Sequence, residues 1–214
     1  MAILYGHEVY PDQKITTTLS MAVWLKDDYT GKPPIGRVEV FLVGQEVKSV
    51  KNPSGYYLFL DLPAGQYQVR VESEHYFAVD KIVDLPGPDP VVEITLNPRP
   101  SYPFPAGTTL IRGIFLDTAA NPVSEAKVKV VEKDISTITT PKGEFVFFFK
   151  GLTDDNVFEK NGKWFIKGNP GKIDENSKTL HLEIVKDTKT WTYQWEIGAR
   201  VGMTTALKDP ITLS

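Results

Sequence analysis

The sequence predicts an all-β protein made of two tandem antiparallel β-sandwich domains joined by a proline-rich linker. Three observations lead to this prediction. Apolar and polar residues alternate with a period of two, turns rich in glycine and proline recur, and a repeated pattern lies on both sides of a proline-rich segment. No segment shows the period of 3.6 that is typical of an amphipathic helix. Many short strands without helices favour sandwiches.

The alternation is clearest in residues 66–72 and 180–184, where apolar side chains take every second position. Because successive side chains of a strand point to opposite faces, this pattern predicts half-buried antiparallel strands. Asn161 and Gly162 stand between two apolar segments and predict a two-residue β-hairpin turn.

The segment from Asn97 to Gly107 contains four prolines within eight residues. Proline lacks a backbone donor and favours extended polyproline geometry, so the segment is expected to be a short, stiff spacer. We therefore place one domain at residues 1–97, a linker at 98–107 and a second domain, with an inserted hairpin, at 108–214. The role of residues 1–17 is left open, as an extra strand or a docking arm.

A shift of 88 residues aligns the two predicted domains. The aligned pairs are Pro34 with Pro122, Val38 with Ala126, Val40 with Val128, Leu42 with Val130, Pro53 with Pro141, Gly55 with Gly143, Tyr57 with Phe145 and Phe59 with Phe147. Upstream, with a one-residue gap, the segment 25–28 resembles 114–117. Turn residues and apolar phase seldom agree by chance over such a length, so we interpret the pattern as a duplication.

Three motifs carry a family resemblance: residues 33–40, the turn with its aromatic at 52–57, and Leu-Pro-Ala-Gly-Gln-Tyr at 62–67. The segments 121–128 and 140–145 repeat the first two motifs, and nothing after residue 152 matches the third. The unit resembles the carboxypeptidase regulatory-like domain, a prealbumin-like sandwich with an immunoglobulin-like layout. The resemblance implies this fold and an accessory, spacer or adhesion role, but no particular activity.

Composition excludes several classes of function. The chain has no cysteine, so disulfides and thiolate chemistry are excluded, and its net charge of -3 without a basic stripe argues against nucleic acid. The sequence shows neither a signal-peptide pattern nor an apolar run long enough to span a bilayer. We expect a protein that is cytoplasmic as synthesised, then incorporated into a particle or exported by a leaderless route.

No residue pattern predicts catalysis, a metal site or a cofactor. His7, His75 and His181 lack the spacing of metal ligands, and the acidic clusters at 27–28, 154–156 and 174–176 lack that of a calcium loop. Glu72, Glu74 and His75 could form a small acid–base site, although a solvated strand end is the more ordinary interpretation. We predict a non-enzymatic protein.

Trp191, Tyr193 and Trp195 form the most interesting candidate site, since a period of two places their rings on one strand face. An exposed row would stack on sugars or bind a protein. Polar residues at the alternating positions favour the other interpretation, in which the row packs into the core of the second sandwich.

The leading functional prediction is a non-catalytic structural or interaction module that binds other proteins. It would act as a spacer, adaptor or appendage component of a larger assembly, such as a phage-tail-like particle. Free strand edges also allow oligomers. The alternative is a carbohydrate-binding module that uses Trp191, Tyr193 and Trp195. The sequence names no partner.

Overall fold

The computed structural model describes residues 17–168, 180–195, 199–206 and 209–213. These residues form seventeen β-strands and two single-turn 3₁₀ helices. The all-β prediction is confirmed. No helix in the described ranges is long and apolar enough to cross a membrane.

The N-terminal half contains strands β1 to β7. They are β1 (Leu19–Asp27), β2 (Val38–Leu42), β3 (Val50–Lys51), β4 (Tyr57–Leu60), β5 (Gly65–Ser73), β6 (Val79–Leu85) and β7 (Val91–Leu96). One sheet has the order β3-β4-β1-β7 and the other the order β2-β5-β6. Alternate residues of both sheets point inward and form one core, with Met21, Phe59 and Val69 fully buried.

The C-terminal half contains strands β8 to β17. They are β8 (Thr109–Leu116), β9 (Lys127–Val130), β10 (Ile135–Ile138), β11 (Glu144–Phe149), β12 (Val157–Lys160), β13 (Lys163–Ile166), β14 (Leu180–Lys186), β15 (Lys189–Trp195), β16 (Thr204–Ala206) and β17 (Ile211–Thr212). Its two larger sheets have the orders β10-β9-β14-β15 and β11-β8-β16, and β17 also pairs with β8. β12 and β13 form a separate two-stranded sheet. A second core lies between the two larger sheets, around Phe115 and Phe145.

The two halves repeat the same strand pairing. β1 pairs with β4 antiparallel and with β7 parallel, while β8 pairs with β11 antiparallel and with β16 and β17 parallel. In the opposite sheets, β5 lies between β2 and β6 as β14 lies between β9 and β15. β6 and β15 are therefore edge strands in corresponding positions of the two halves. The other edges differ, because β3 extends the sheet of β1 through β4, whereas β10 extends the sheet of β14 through β9.

The upstream part of the sequence alignment is corrected by one residue. Val23 pairs with Tyr57, and Gly113 pairs with Phe145, so β1 and β8 correspond at a shift of 90. The counterpart of Asp117 is then Asp27 rather than Asp28. Sequence reasoning missed this because Val38 follows Asp27 by 11 positions, whereas its aligned partner Ala126 follows Asp117 by only 9.

The predicted turns are confirmed. Asn161 and Gly162 connect β12 to β13, and both have positive φ angles, 53° and 69°, as a type I′ hairpin turn requires. Gly55 and Gly143 occupy left-handed positions with φ of 91° and 73°. Glycine adopts this conformation without the Cβ clash that other residues meet.

The proline-rich segment differs from the expected extended spacer because it packs onto the N-terminal half. The amide of Tyr102 donates to the carbonyl of Arg99 at 2.9 Å, which closes a turn, and the Tyr102 ring is buried in the N-terminal core. Burial of this aromatic ring outweighs the preference of the prolines for an extended chain. The domain boundaries at 97 and 107 stay a prediction.

Aromatic contacts connect the two halves. Tyr29 makes edge-to-face contacts with Phe104 and Phe148, with ring centroids 5.2 and 5.4 Å apart. Phe148 packs with Leu110 and Val146 in a small cluster of its own. The guanidinium of Arg112 also donates to the carbonyl of Pro100 at 2.9 Å.

Candidate functional site

The aromatic row predicted from the sequence lies on β15, at one end of the sheet β10-β9-β14-β15. Trp191 is opposite Ile184 on β14, and Tyr193 is opposite Leu182. Both β14 residues are fully buried, and both β15 rings are half-buried against the C-terminal core. The side chain of Trp195 lies outside the described residues.

This arrangement gives the two β15 faces different surroundings. Trp191 and Tyr193 point toward the core, while Thr192 and Gln194 are exposed on the opposite face. The placement of these two rings agrees with the core interpretation. Neither ring is completely buried.

The edge of β15 is the second notable feature of this strand. β15 forms a seven-residue ladder with β14, and no strand in the described ranges pairs with its other side. An unpaired edge presents a row of backbone donors and acceptors that another extended chain can use. β15 therefore presents a ready template for strand addition.

The positional counterpart of β15 is β6, and its edge is chemically different. β6 carries Asp80, Lys81 and Asp84 along its seven residues, whereas β15 has no charged residue after Lys189. In addition, the ammonium of Lys81 donates to the carbonyl of Glu93 on β7 at 2.9 Å. Charged side chains on edge strands discourage pairing with other chains. The sequence reasoning missed this difference, because only the structure shows that β6 and β15 are both edge strands.

The predicted acid–base group is only partly brought together. Glu74 lies 3.3 Å from the ring of His75, whereas Glu72 pairs with Arg70 at 3.6 Å on the surface of β5. The three carboxyl and imidazole groups do not converge on an enclosed cavity. Glu72 and Glu74 line a shallow, open groove with Arg37 and Glu39.

The histidines lie apart from one another. His75 follows β5, while His181 on β14 makes a close contact with the carboxylate of Glu132. His7 is outside the described residues. Within the described ranges, no three histidine, aspartate or glutamate side chains gather in a way that could hold a metal ion.

A buried polar network around Asp27 was missed by the sequence reasoning. One carboxylate oxygen of Asp27 accepts hydrogen bonds from the hydroxyls of Tyr76, at 3.0 Å, and Tyr102, at 2.6 Å. The other oxygen accepts from the backbone amide of Tyr29 at 2.7 Å. The side chains of Asp27, Tyr76 and Tyr102 are all buried, and those of Asp27 and Tyr76 are 0% exposed. The network ties the proline-rich segment to the end of β1.

Burial and the neighbouring carboxylate change the acidity of these tyrosines. Burial above all raises the pKa of Tyr76 from 10.0 to about 12, and Asp27 adds to the effect. Burial and the hydrogen bond to Asp27 also raise the pKa of Tyr102. Both hydroxyls therefore stay protonated donors over the physiological pH range.

These raised pKa values predict alkaline sensitivity. The folded-state pKa of Tyr76 lies above its unfolded value, so its contribution is complete below pH 10 and is lost as the pH rises through about 12. Urea unfolding at a series of pH values should show the free energy of unfolding falling across this window. The double variant Tyr76→Phe/Tyr102→Phe should be less stable at neutral pH and should lose less stability across the same window. An equal alkaline loss in both proteins would contradict the assignment.

Comparisons with known proteins give no family. No protein-family model and no curated protein matches the sequence. Among solved structures, the chain resembles the Bacillus anthracis TIE protein, with a TM-score of 0.32, 12% identity, and coverage of 92% of this chain and 34% of that one. It also resembles a streptococcal ancillary pilin, with a TM-score of 0.28, 12% identity, and coverage of 92% and 62%. This chain thus spans about a third of the first protein and under two thirds of the second. TM-scores this low carry no argument about fold or function.

Proposed function

We propose that this protein is a non-catalytic interaction module that associates with other proteins through the edge of β15. The observation that carries the proposal is a seven-residue edge with which no strand in the described ranges pairs, opposite the side of β15 that pairs with β14. This edge is uncharged from Thr190 to Trp195. An extended segment of another chain would add a strand there, with backbone hydrogen bonds supplying the affinity.

The side chains of β15 suit strand addition. A strand added next to β15 would place its inward residues beside Trp191 and Tyr193, and so cover the parts of these rings that are still exposed. Cross-strand pairs with aromatic residues contribute roughly 0.2–1 kcal/mol each. On the outer face, Thr192 and Gln194 offer polar contacts without charge.

Duplication and the family resemblance support the same proposal. The recurrence of strand pairing in both halves agrees with two copies of a carboxypeptidase regulatory-like unit. In this interpretation the first copy kept a charged edge at β6 and the second copy has an uncharged edge at β15. Two connected sandwiches with one adhesive edge suit a spacer, adaptor or appendage component of a larger assembly, and a phage-tail-like particle is the specific form we propose.

The edge is tested by placing charge on it. We expect the double variant Thr192→Lys/Gln194→Lys to fold normally, since both side chains are exposed, and to weaken association at least about tenfold, or about 1.4 kcal/mol. Association is measured by sedimentation of the purified chain and by capture of partners from native lysate with mass spectrometry.

Ile82→Lys on β6 is the matched control for this experiment. Ile82 is 55% exposed on an edge strand in the corresponding position, so its replacement adds a lysine without touching β15. Equal loss of association in both variants, or none in the β15 variant, would rule out the β15 edge as the contact.

Carbohydrate binding by Trp191, Tyr193 and Trp195 is the second candidate, and the partial exposure of the first two rings favours it. A glycan array with the wild type and with Trp195→Ala tests this use of the row. Retained binding in the variant would exclude Trp195 from the site.

A further inference from the structure

A cleft lies where the two halves meet. It has a volume of about 490 Å³, within the range of small-ligand sites. Asp28 and Asn97 line it from the N-terminal half, and the segment 133–136 together with the end of β11 lines it from the C-terminal half. Phe148 lines the cleft and makes an aromatic contact with Tyr29, which also contacts Phe104. These contacts pack the two halves against each other beside the cleft.

Most of the charges in the cleft are already paired. Lys150 contacts both the carboxylate and the backbone carbonyl of Asp28, and its ammonium lies over the ring of Phe148. Asp134 is paired with Lys129 at 2.8 Å. These pairs leave the ammonium of Lys133, which has no carboxylate within 4.0 Å among the residues that the structure describes.

Lys133 is therefore a partly desolvated cation without a direct counter-ion. Burial, the largest effect, lowers the pKa of Lys133; the charge of Glu132 raises this pKa and the charge of Lys167 lowers it. Glu132 is not within ion-pair distance, so the surroundings replace the lost hydration of the ammonium only in part. A bound anion would supply the missing partner. Asp28 and Asp134 also line the cleft, so their carboxylates would repel a bound anion. A ligand with one carboxylate group, which carries a single negative charge, would be repelled less than a doubly charged phosphate.

The remaining polar groups are suited to hydroxyls. Asn97, Ser136 and Asn156 line the cleft, and no hydrogen bond of their side chains to another described residue exists. An amide offers both donors and an acceptor, and a serine hydroxyl offers both roles. Leu152 adds an apolar surface on which the C–H face of a ring can rest.

We infer that this cleft binds a small acidic sugar of the uronic acid class. Its carboxylate pairs with the ammonium of Lys133, and its hydroxyls bond with Asn97, Ser136 and Asn156. The inference stands apart from the β15 edge, since the two sites share no residue.

Titration of the full chain with glucuronate, followed by calorimetry and by amide chemical shifts, tests this site. We expect saturable binding with shifts at Asn97, Ser136 and Asn156, and at least about tenfold weaker binding by Lys133→Gln. Lys142→Gln, which removes an exposed lysine outside the cleft, should bind glucuronate as the wild type does. Thr192→Lys/Gln194→Lys should also bind normally, which separates this result from that of the β15 edge.

Glucose, acetate and inorganic phosphate identify the chemistry that is recognised. Each should bind at least tenfold more weakly than glucuronate. Acetate binding as tightly would overturn the role of the hydroxyls, and tighter phosphate binding would overturn the role of a single carboxylate. No detectable glucuronate binding, or unchanged binding by Lys133→Gln, would overturn the site itself.

Discussion

Replacement of Asp27 by alanine is expected to lower the free energy of unfolding by about 2–5 kcal/mol. The substitution removes the acceptor for two buried tyrosine hydroxyls and for the amide of Tyr29. Each buried donor left without a partner costs about 1–3 kcal/mol. Urea unfolding at neutral pH, monitored by circular dichroism, measures the difference.

Asp117→Ala is the matched control, because Asp117 is the counterpart of Asp27 at the end of β8. Its carboxylate accepts hydrogen bonds from the amides of Ala119 and Asn121, but it bonds to no tyrosine in the part of the chain that the structure describes. We expect a much smaller loss of stability for this variant. A similar loss in both would mean that the shared turn, rather than the buried tyrosine network, accounts for the importance of Asp27.

Gly143→Ala is expected to destabilise the protein by about 2–5 kcal/mol. At a φ of 73° an alanine pays roughly 1–2 kcal/mol for the left-handed conformation. Its Cβ would also overlap the backbone carbonyl oxygen of Phe115 and lie 3.2 Å from the amide of Val123. These backbone atoms are hydrogen-bonded to each other, so relieving the overlap disturbs β8, the central strand of its sheet, at a further cost of about 1–3 kcal/mol.

Gly55→Ala tests the same substitution in the corresponding turn of the other half. Gly55 also has a positive φ, but a Cβ there would meet only the Trp24 ring, at an ordinary 3.5 Å. Gly55→Ala should therefore cost only the conformational part, about 1–2 kcal/mol. Thermal and urea unfolding of the two variants in parallel give the comparison. Equal destabilisation would show that the contact with Phe115 has no effect.

The Asp27 network also affects how the two halves are connected. Tyr102 belongs to the segment predicted as a spacer, yet its hydroxyl bonds to a buried carboxylate at the end of β1. Two residues later, Phe104 contacts Tyr29 and Phe148. Anchoring on both sides limits the freedom of the segment, a property that suits a module with a structural role.

Strand positions and turns were predictable because their signals are local. The alternation in 66–72 and 180–184 reflects the two faces of a single strand, and Asn161-Gly162 encodes its own turn geometry. The packing of Tyr102 was not predictable in this way. Its partners, Asp27 and Tyr76, are 75 and 26 positions away in the sequence, and no local pattern records such a contact.

The candidate sites also differ in whether local sequence signals or contacts between distant residues define them. The sequence identified the row at Trp191, Tyr193 and Trp195, because a period of two is visible in one segment. It could not show that β15 ends a sheet or that β6 occupies the corresponding edge. Nor could it show that Lys133 lies in a cleft with Asn97 and has no carboxylate of the described residues within ion-pair distance.

By itself, then, the sequence determined an all-β chain with its strands, hairpin turns and repeated pattern, since these follow from residue types at fixed short spacing. Only the tertiary structure decided which strands are edges, which carboxylate is buried and which segment packs against the core. Those properties depend on contacts between residues far apart in the chain, and the free energy of such contacts outweighs local preference.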